Sequence, residues 1–265
     1  MKKIYTAISN NRFVSFIILA LLLCGIYSCI MLNIDASLWI LIVGNMLILL
    51  FAYVFPYSCT TKLLQAVVDE LNNNCDPYPL LDETRRQLER VKEGSEQQLL
   101  MTNQCAALIS IGEYQKGIDL LTSINIDKYS TTPAILKFIY YNNLASCYWH
   151  IDDIENAVTL NKKAIAIYND LPDTKEKHFF TYAVKDCQAS VLFSEGKYDE
   201  ALKLLEEAPI ENASARISNT YARAEIYMKK GEIEIARNLL NYVIANGNKL
   251  YSVVRAKEML EKHQG

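Results

Sequence analysis

The sequence predicts an all-α chain, an N-terminal transmembrane helical hairpin followed by an α-solenoid of helix-turn-helix repeats. Three observations carry this. Two uncharged apolar runs fill most of residues 1–57, helical periodicity without strand alternation follows them, and four later segments agree column by column.

The first run, Phe13 to Ile34, has 22 residues, and the second, Leu38 to Tyr57, has 20. At about 1.5 Å of rise per residue each reaches roughly 30 Å, the hydrocarbon thickness of a bilayer. Only Asp35-Ala36-Ser37 separates them, which leaves room for a tight turn between antiparallel helices. Trp39 beside that turn, with Tyr53 and Tyr57 near the other end, suits interfacial anchoring. A cleaved leader would account for Lys2-Lys3 and one apolar run, but not for a second run three residues later. A lipid-attachment site at Ile26-Tyr27-Ser28-Cys29 fits poorly because of Tyr27. Asn45 is expected to hydrogen-bond between the two spans. Lys2, Lys3 and Arg12 precede the first span and Lys62 follows the second. The positive-inside bias therefore places both termini in the cytoplasm of a two-span membrane protein.

Residues 58–94 read as a membrane-proximal helical pair, with a degenerate first repeat as the alternative. Thr61–Asn72 sets Leu63, Leu64, Val67, Val68 and Leu71 on one face. The Asn73–Pro77 stretch breaks it, and Leu80–Val91 begins a second helix.

Residues 95–247 contain the four repeats. With Ala201 as reference, the aligned positions are Gly117, Ala157 and Ala236. Twelve residues earlier stand Cys105, Ala145, Ala189 and Ala224, all small; nine earlier stand Leu108, Tyr148, Leu192 and Tyr227, all large. Five earlier stand Gly112, Asp152, Gly196 and Gly231; three earlier stand Tyr114, Ile154, Tyr198 and Ile233. Small residues in two columns let paired helices cross closely, and large ones fill the space on either side. The Gly column supplies the left-handed conformation that ends each first helix, and Asp152 can adopt it as well as cap the next helix.

Those columns, clearest in Ala189…Gly196-Lys197-Tyr198-Asp199-Glu200-Ala201…Ala208-Pro209, resemble the tetratricopeptide repeat (TPR) family. Tyr141-Asn142-Asn143-Leu144-Ala145 is similar to the start of such a repeat. The steps between reference residues are 40, 44 and 35, against about 34 in the family. The excess falls in longer helices and in the connectors Asn125–Thr131 and Pro172–Lys177. Gly117 in place of Ala, and Asn161 in place of a large residue, make the first two repeats looser. Residues 248–265 are expected to form a C-terminal capping helix: Leu250, Val253, Val254 and Leu260 cover the end of the stack, and Lys249, Glu258, Glu261 and Lys262 face water.

The chain has seven cysteines and three histidines, with no CxxC, no phosphate-binding Gly loop and no hydrolase or metalloprotease motif. Wide spacing and an odd count argue against a disulfide framework, and a reducing compartment is the natural setting. His150 beside Asp152 and Asp153 reads as a solvated cap, because a metal needs three or four converging ligands. No catalytic set, metal or cofactor is therefore expected. Nor is a nucleic-acid partner. Residues 1–57 hold three basic residues and one acid, so the remainder carries −5 of the total −3, with no basic run beyond Arg85-Arg86.

The resemblance implies a concave wall built from the first helix of each pair, with a protein or peptide in the groove. Its groove-facing positions map onto Thr102, Asn103 and Ala106; Asn142, Asn143, Ser146, Trp149 and His150; Asp186, Ser190 and Ser194; Tyr221, Glu225 and Lys229. Trp149 serves either as an aromatic anchor in the groove or in the core. The family's subset that grips chaperone C-termini needs basic residues where Ala183 and Cys187 stand, which disfavours that partner. The reading is a membrane-tethered scaffold that recruits a protein or peptide at the cytoplasmic face. The rivals are an accessory subunit of a channel, transporter or secretion complex, and a peptide- or ligand-sensing regulator.

Overall fold

The structure, a computed structural model, describes residues 8, 11–34 and 37–263. Lys2, Lys3, Asp35, Ala36 and the last two residues lie outside the described residues, so the charge and turn arguments resting on them stay with the sequence. Among the described residues there are thirteen helices and no strand. They divide into two compact units, residues up to Val67 and residues from Val68.

In the first unit, α1 (Arg12–Asn33) pairs with the opening part of α2 (Leu38–Asn74). Both helices are long and apolar enough to cross a membrane. Asn45 donates to the Ser28 hydroxyl at 3.2 Å, and the Tyr27 hydroxyl donates to the Ile40 carbonyl at 2.7 Å. Gly44 makes room for the Tyr27 ring, which a Cβ there would strike. A boundary at residue 57 falls inside α2, because the helix runs through Pro56 without interruption. The missing Pro N–H costs one intrahelical bond. The helix survives it, and Thr60 donates to the Pro56 carbonyl at 3.0 Å.

The second unit is the solenoid. After α2, α3 (Tyr78–Leu88) packs on α4 (Ser95–Ser110). The repeats pair α4 with α5 (Tyr114–Thr122), α6 (Ala134–His150) with α7 (Ile154–Asp170), α9 (Thr181–Ser194) with α10 (Tyr198–Glu206), and α11 (Ala213–Lys230) with α12 (Ile233–Asn246). Every five-back residue is left-handed: Gly112 at φ 81°, Asp152 at 63°, Gly196 at 75° and Gly231 at 78°. Asp152 tolerates this as Asn and Asp do. The cap it was expected to provide comes instead from Asp153, whose carboxylate accepts from the Asn156 N–H. The small crossing residues Cys105, Ala145, Ala157, Ala189, Ala201, Ala224 and Ala236 are all buried.

Three details differ from the sequence reading. Gly117 does not loosen its crossing. A Cβ there would lie 2.8 Å from the Cys147 sulfur and 3.1 Å from that of Cys105, so the two thiols, 3.8 Å apart, occupy the space an alanine would need. The connector after α7 holds a short helix, α8 (Lys175–Phe179), capped by Thr174. Ile154 and Val254, expected to be covered, are exposed.

The C-terminal helix α13 (Tyr251–Lys262) departs most. It packs on α12 and α11, yet its first turn also reaches back to the first repeat, where the Tyr251 ring lies against Gly112 and meets Tyr114 edge-on at 6.1 Å. The turn ahead of it is tied to the start of the solenoid. The Lys249 N–H donates to the Cys75 carbonyl at 3.3 Å, Asn248 donates to the Asn74 carbonyl at 2.7 Å, and the Lys249 ammonium pairs with Asp76 at 2.6 Å. The helix closes the concave side as well as the end of the stack.

Candidate ligand-binding groove

The crossing residues Ala145, Ala189 and Ala224 face the second helices. The residue after each, those four positions from it, and Trp149 beside them lie to one side of that crossing face, roughly 100° round the helix, and share the inner wall. On α6 these are Asn142, Ser146, Trp149 and His150; on α9, Asp186 and Ser190; on α11, Tyr221 and Glu225. All eight line one cavity of about 200 Å³. Trp149 belongs to this wall, tilted against Phe193 with centroids 5.7 Å apart.

Three predicted groove residues sit elsewhere. Thr102 is 1% exposed and donates to the Gln98 carbonyl at 2.7 Å. Asn143, 7% exposed, donates to the Thr102 carbonyl at 3.1 Å and ties α6 to α4. A buried amide must find such a partner, which draws Asn143 into the packing. Asn103 is half-buried and does not line the cavity. Of the positions implied more loosely, Ala106 also lies outside it, Ser194 is exposed and bonded to the Val191 carbonyl, and Lys229 lines a wider opening beyond.

Sequence reasoning missed Tyr114, Asn161, Leu250, Ser252 and Arg255, which line the same cavity. Asn161 carried a signal, a polar residue in a core column. Tyr114 was legible only as packing, yet it stacks on His150 with centroids 4.5 Å apart. Leu250, Ser252 and Arg255 come from α13 and its N-terminal edge, where nothing in the repeat pattern places them.

Burial shapes the electrostatics. It raises the Asp186 carboxyl to about 6 with no neighbouring charge or donor offsetting it. Glu225 rises to about 7, again through burial, with Arg255 and the Tyr221 hydroxyl opposing only in part. His150 is held down to about 4 by burial and then by Arg255, so it is neutral at pH 7. The Tyr221 side chain is 6% exposed and its hydroxyl lacks a well-formed hydrogen bond; the Ser252 hydroxyl is likewise buried without a partner. Asn142 accepts from the Cys187 thiol at 3.0 Å. Among the described residues no three His, Cys, Asp or Glu side chains converge as metal ligands. The cavity opens past Trp149, His150, Glu225 and Arg255 into a mouth of about 600 Å³, where Phe193, Met228 and Met259 add apolar surface.

Paired helices with left-handed turns, small crossing residues and a polar inner wall define a tetratricopeptide-repeat solenoid. The chain belongs to the family described as the SusR N-terminal TPR domain, which matches residues 80–245. Among solved structures it is similar to the crystal structure of Bacillus thuringiensis PlcR in complex with the peptide PapR7 and DNA. That likeness has a TM-score of 0.53 at 15% identity and covers 84% of this chain and 82% of that one, so it concerns the fold. No curated protein sequence matches the chain.

Proposed function

We propose that the protein is a membrane-tethered scaffold whose concave groove binds a protein or peptide. The carrying observation is the convergence of eight inner-face residues from α6, α9 and α11 on one cavity with an apolar mouth. That is the mixture of polar groups and aromatic anchor that holds an extended backbone or a helix. The similarity to PlcR, whose crystal contains a bound peptide, supports the same use of this fold. The DNA in that crystal does not transfer, because residues 58–265 are acidic and Arg86 of the Arg85-Arg86 pair is bound to Glu83. The reading is binding without catalysis.

Tethering is supported by α1 and α2, whose Phe13, Leu21, Trp39, Met46 and Leu50 side chains face outward. In water such a surface would be costly; in lipid it is the expected one. With both termini cytoplasmic, the hairpin raises the local concentration of whatever the groove binds. Photocrosslinking from Ser190 in intact membranes is the test. A defined adduct that disappears in Trp149→Ala or Asn142→Ala supports recruitment, and an adduct unchanged in both removes it. A reporter fused after residue 265 that is active only outside the membrane would reverse the orientation.

A second reading, a subunit role for the hairpin, is favoured by Gly25, which has open space beside it where another helix could approach. Replacing residues 1–57 with an unrelated anchor that continues into the same helix separates the two. Retained function supports recruitment, and lost function supports the subunit role.

A further inference from the structure

The inner chamber is chemically unbalanced. Asp186 and Glu225 present two carboxylates, the histidine beside them is neutral, and among the described residues Arg255 is the single cation in the lining. When both acids are ionised the chamber carries one uncompensated negative charge in a desolvated place. Such a charge is expensive unless something pairs with it. Asp186 meets neither a cation nor a donor, and the buried Tyr221 hydroxyl stands beside Glu225 without a well-formed bond. The donor set is too sparse in converging ligands for a metal ion. An ammonium group has the missing charge and three donors for these acceptors.

We infer that the chamber binds a primary ammonium group, held by Asp186 and Glu225 with the Tyr221 oxygen as a further acceptor, while its apolar carrier lies in the mouth against Trp149, Phe193 and Met259. The inference rests on the reading of the concave face as the binding face and names what that face selects. Arg255 is the counterpart within the chain. Carried by α13 to the edge of the chamber, it lowers the cost of Glu225 in the empty groove and leaves Asp186 without a cation. The ammonium arrives on a small free amine or on a peptide, as a lysine side chain or an N-terminus. An anion is disfavoured because it would face two acids for one arginine.

The test uses the full chain in detergent micelles or nanodiscs at pH 8. Butylamine, butyrate and butanol are compared by thermal shift and calorimetry. Butylamine alone is expected to stabilise the protein. Asp186→Asn and Glu225→Gln, which keep size and lose charge, should each weaken it by about tenfold or more, the usual scale for a hydrogen bond to a charged group. Both variants should melt no lower than wild type, since each removes a desolvated acid. In a second arm, an acetylated pentapeptide with a central lysine is compared with its acetyl-lysine form, and a free N-terminus with a capped one. Discrimination in this arm alone identifies the peptide as the source of the ammonium. Equal responses to all three small probes with no peptide discrimination overturn the inference, as does butylamine binding that survives in the Asp186→Asn/Glu225→Gln double variant. Peptides that bind regardless of their ammonium groups overturn it too, and leave the groove reading standing.

Discussion

The first and third repeats follow one recipe but inhabit different surroundings. Gly112 and Gly196 have nearly the same left-handed φ, 81° and 75°. A Cβ on Gly196 would meet nothing within 4 Å, whereas one on Gly112 would strike the Tyr251 ring at 2.6 Å. The crossing residues differ in the same way. Ala201 fills its site, while Gly117 yields its space to two sulfurs. The regular repeat is spent on its own packing. The irregular one also serves as the docking site of a helix from the far end of the chain, and it shares that duty with the groove.

Alanine at the two turn glycines gives the sharpest contrast. Gly196→Ala should cost about 1–2 kcal/mol, the left-handed penalty alone. Gly112→Ala adds displacement of Tyr251 and should cost roughly 2–4 kcal/mol in urea unfolding followed by circular dichroism. The excess should shrink in a Tyr251→Ala background, because the two changes remove the same contact. Equal costs at the two glycines would mean that α13 does not dock on the first repeat.

Overpacking the crossings comes next. Ala189→Leu and Ala201→Leu should each cost about 1–3 kcal/mol, and a neutral result at both would undo the repeat register. Gly117→Ala should cost about 1–2 kcal/mol by itself and much less beside Cys147→Ala, which removes the sulfur 2.8 Å away.

The smallest effect is electrostatic and belongs to the groove. The folded state keeps the Asp186 proton to about pH 6 and the Glu225 proton to about pH 7, whereas free groups lose theirs near 3.8 and 4.5. Their contribution to stability therefore falls as pH rises from about 4 to 7. His150 works against them. It is held at about 4 where a free imidazole titrates at 6.5, so its contribution rises with pH across that interval. Two groups against one leave a net fall of roughly 1–2 kcal/mol after allowance for water in the cavity. In Asp186→Asn/Glu225→Gln the slope should change sign, since His150 then acts alone. Melting temperatures between pH 4 and 7 read this directly, and parallel profiles for variant and wild type would contradict the assignment.

Much of this was legible in the chain. The column comparison anticipated all four left-handed turns, including the one without glycine at Asp152. The family resemblance implied Asn142, Ser146, Asp186, Ser190, Tyr221 and Glu225 for the inner wall, and all six line the cavity. Where it went astray, a partner outside the repeat decided. Thr102 and Asn143 occupy groove-type positions, but the Thr102 hydroxyl bonds within α4 and the Asn143 amide bridges α6 to α4. Gly117 read as a loose residue because the second sulfur, that of Cys147, lies 42 positions from the first in sequence. The apolar run ends at Tyr57, and α2 continues past it to Asn74.

By itself the sequence determined the helices, their turns, the pairing within each repeat and the two apolar spans. All of these depend on residues a few positions apart, through helical periodicity, left-handed turns and close crossings. Only the tertiary structure decided that α13 lies over the concave side, with Tyr251 on Gly112 and Arg255 at the edge of the chamber. That placement follows from curvature, a sum of small rotations over four unequal repeats. No local pattern encodes the sum, and the charge balance of the groove depends on it.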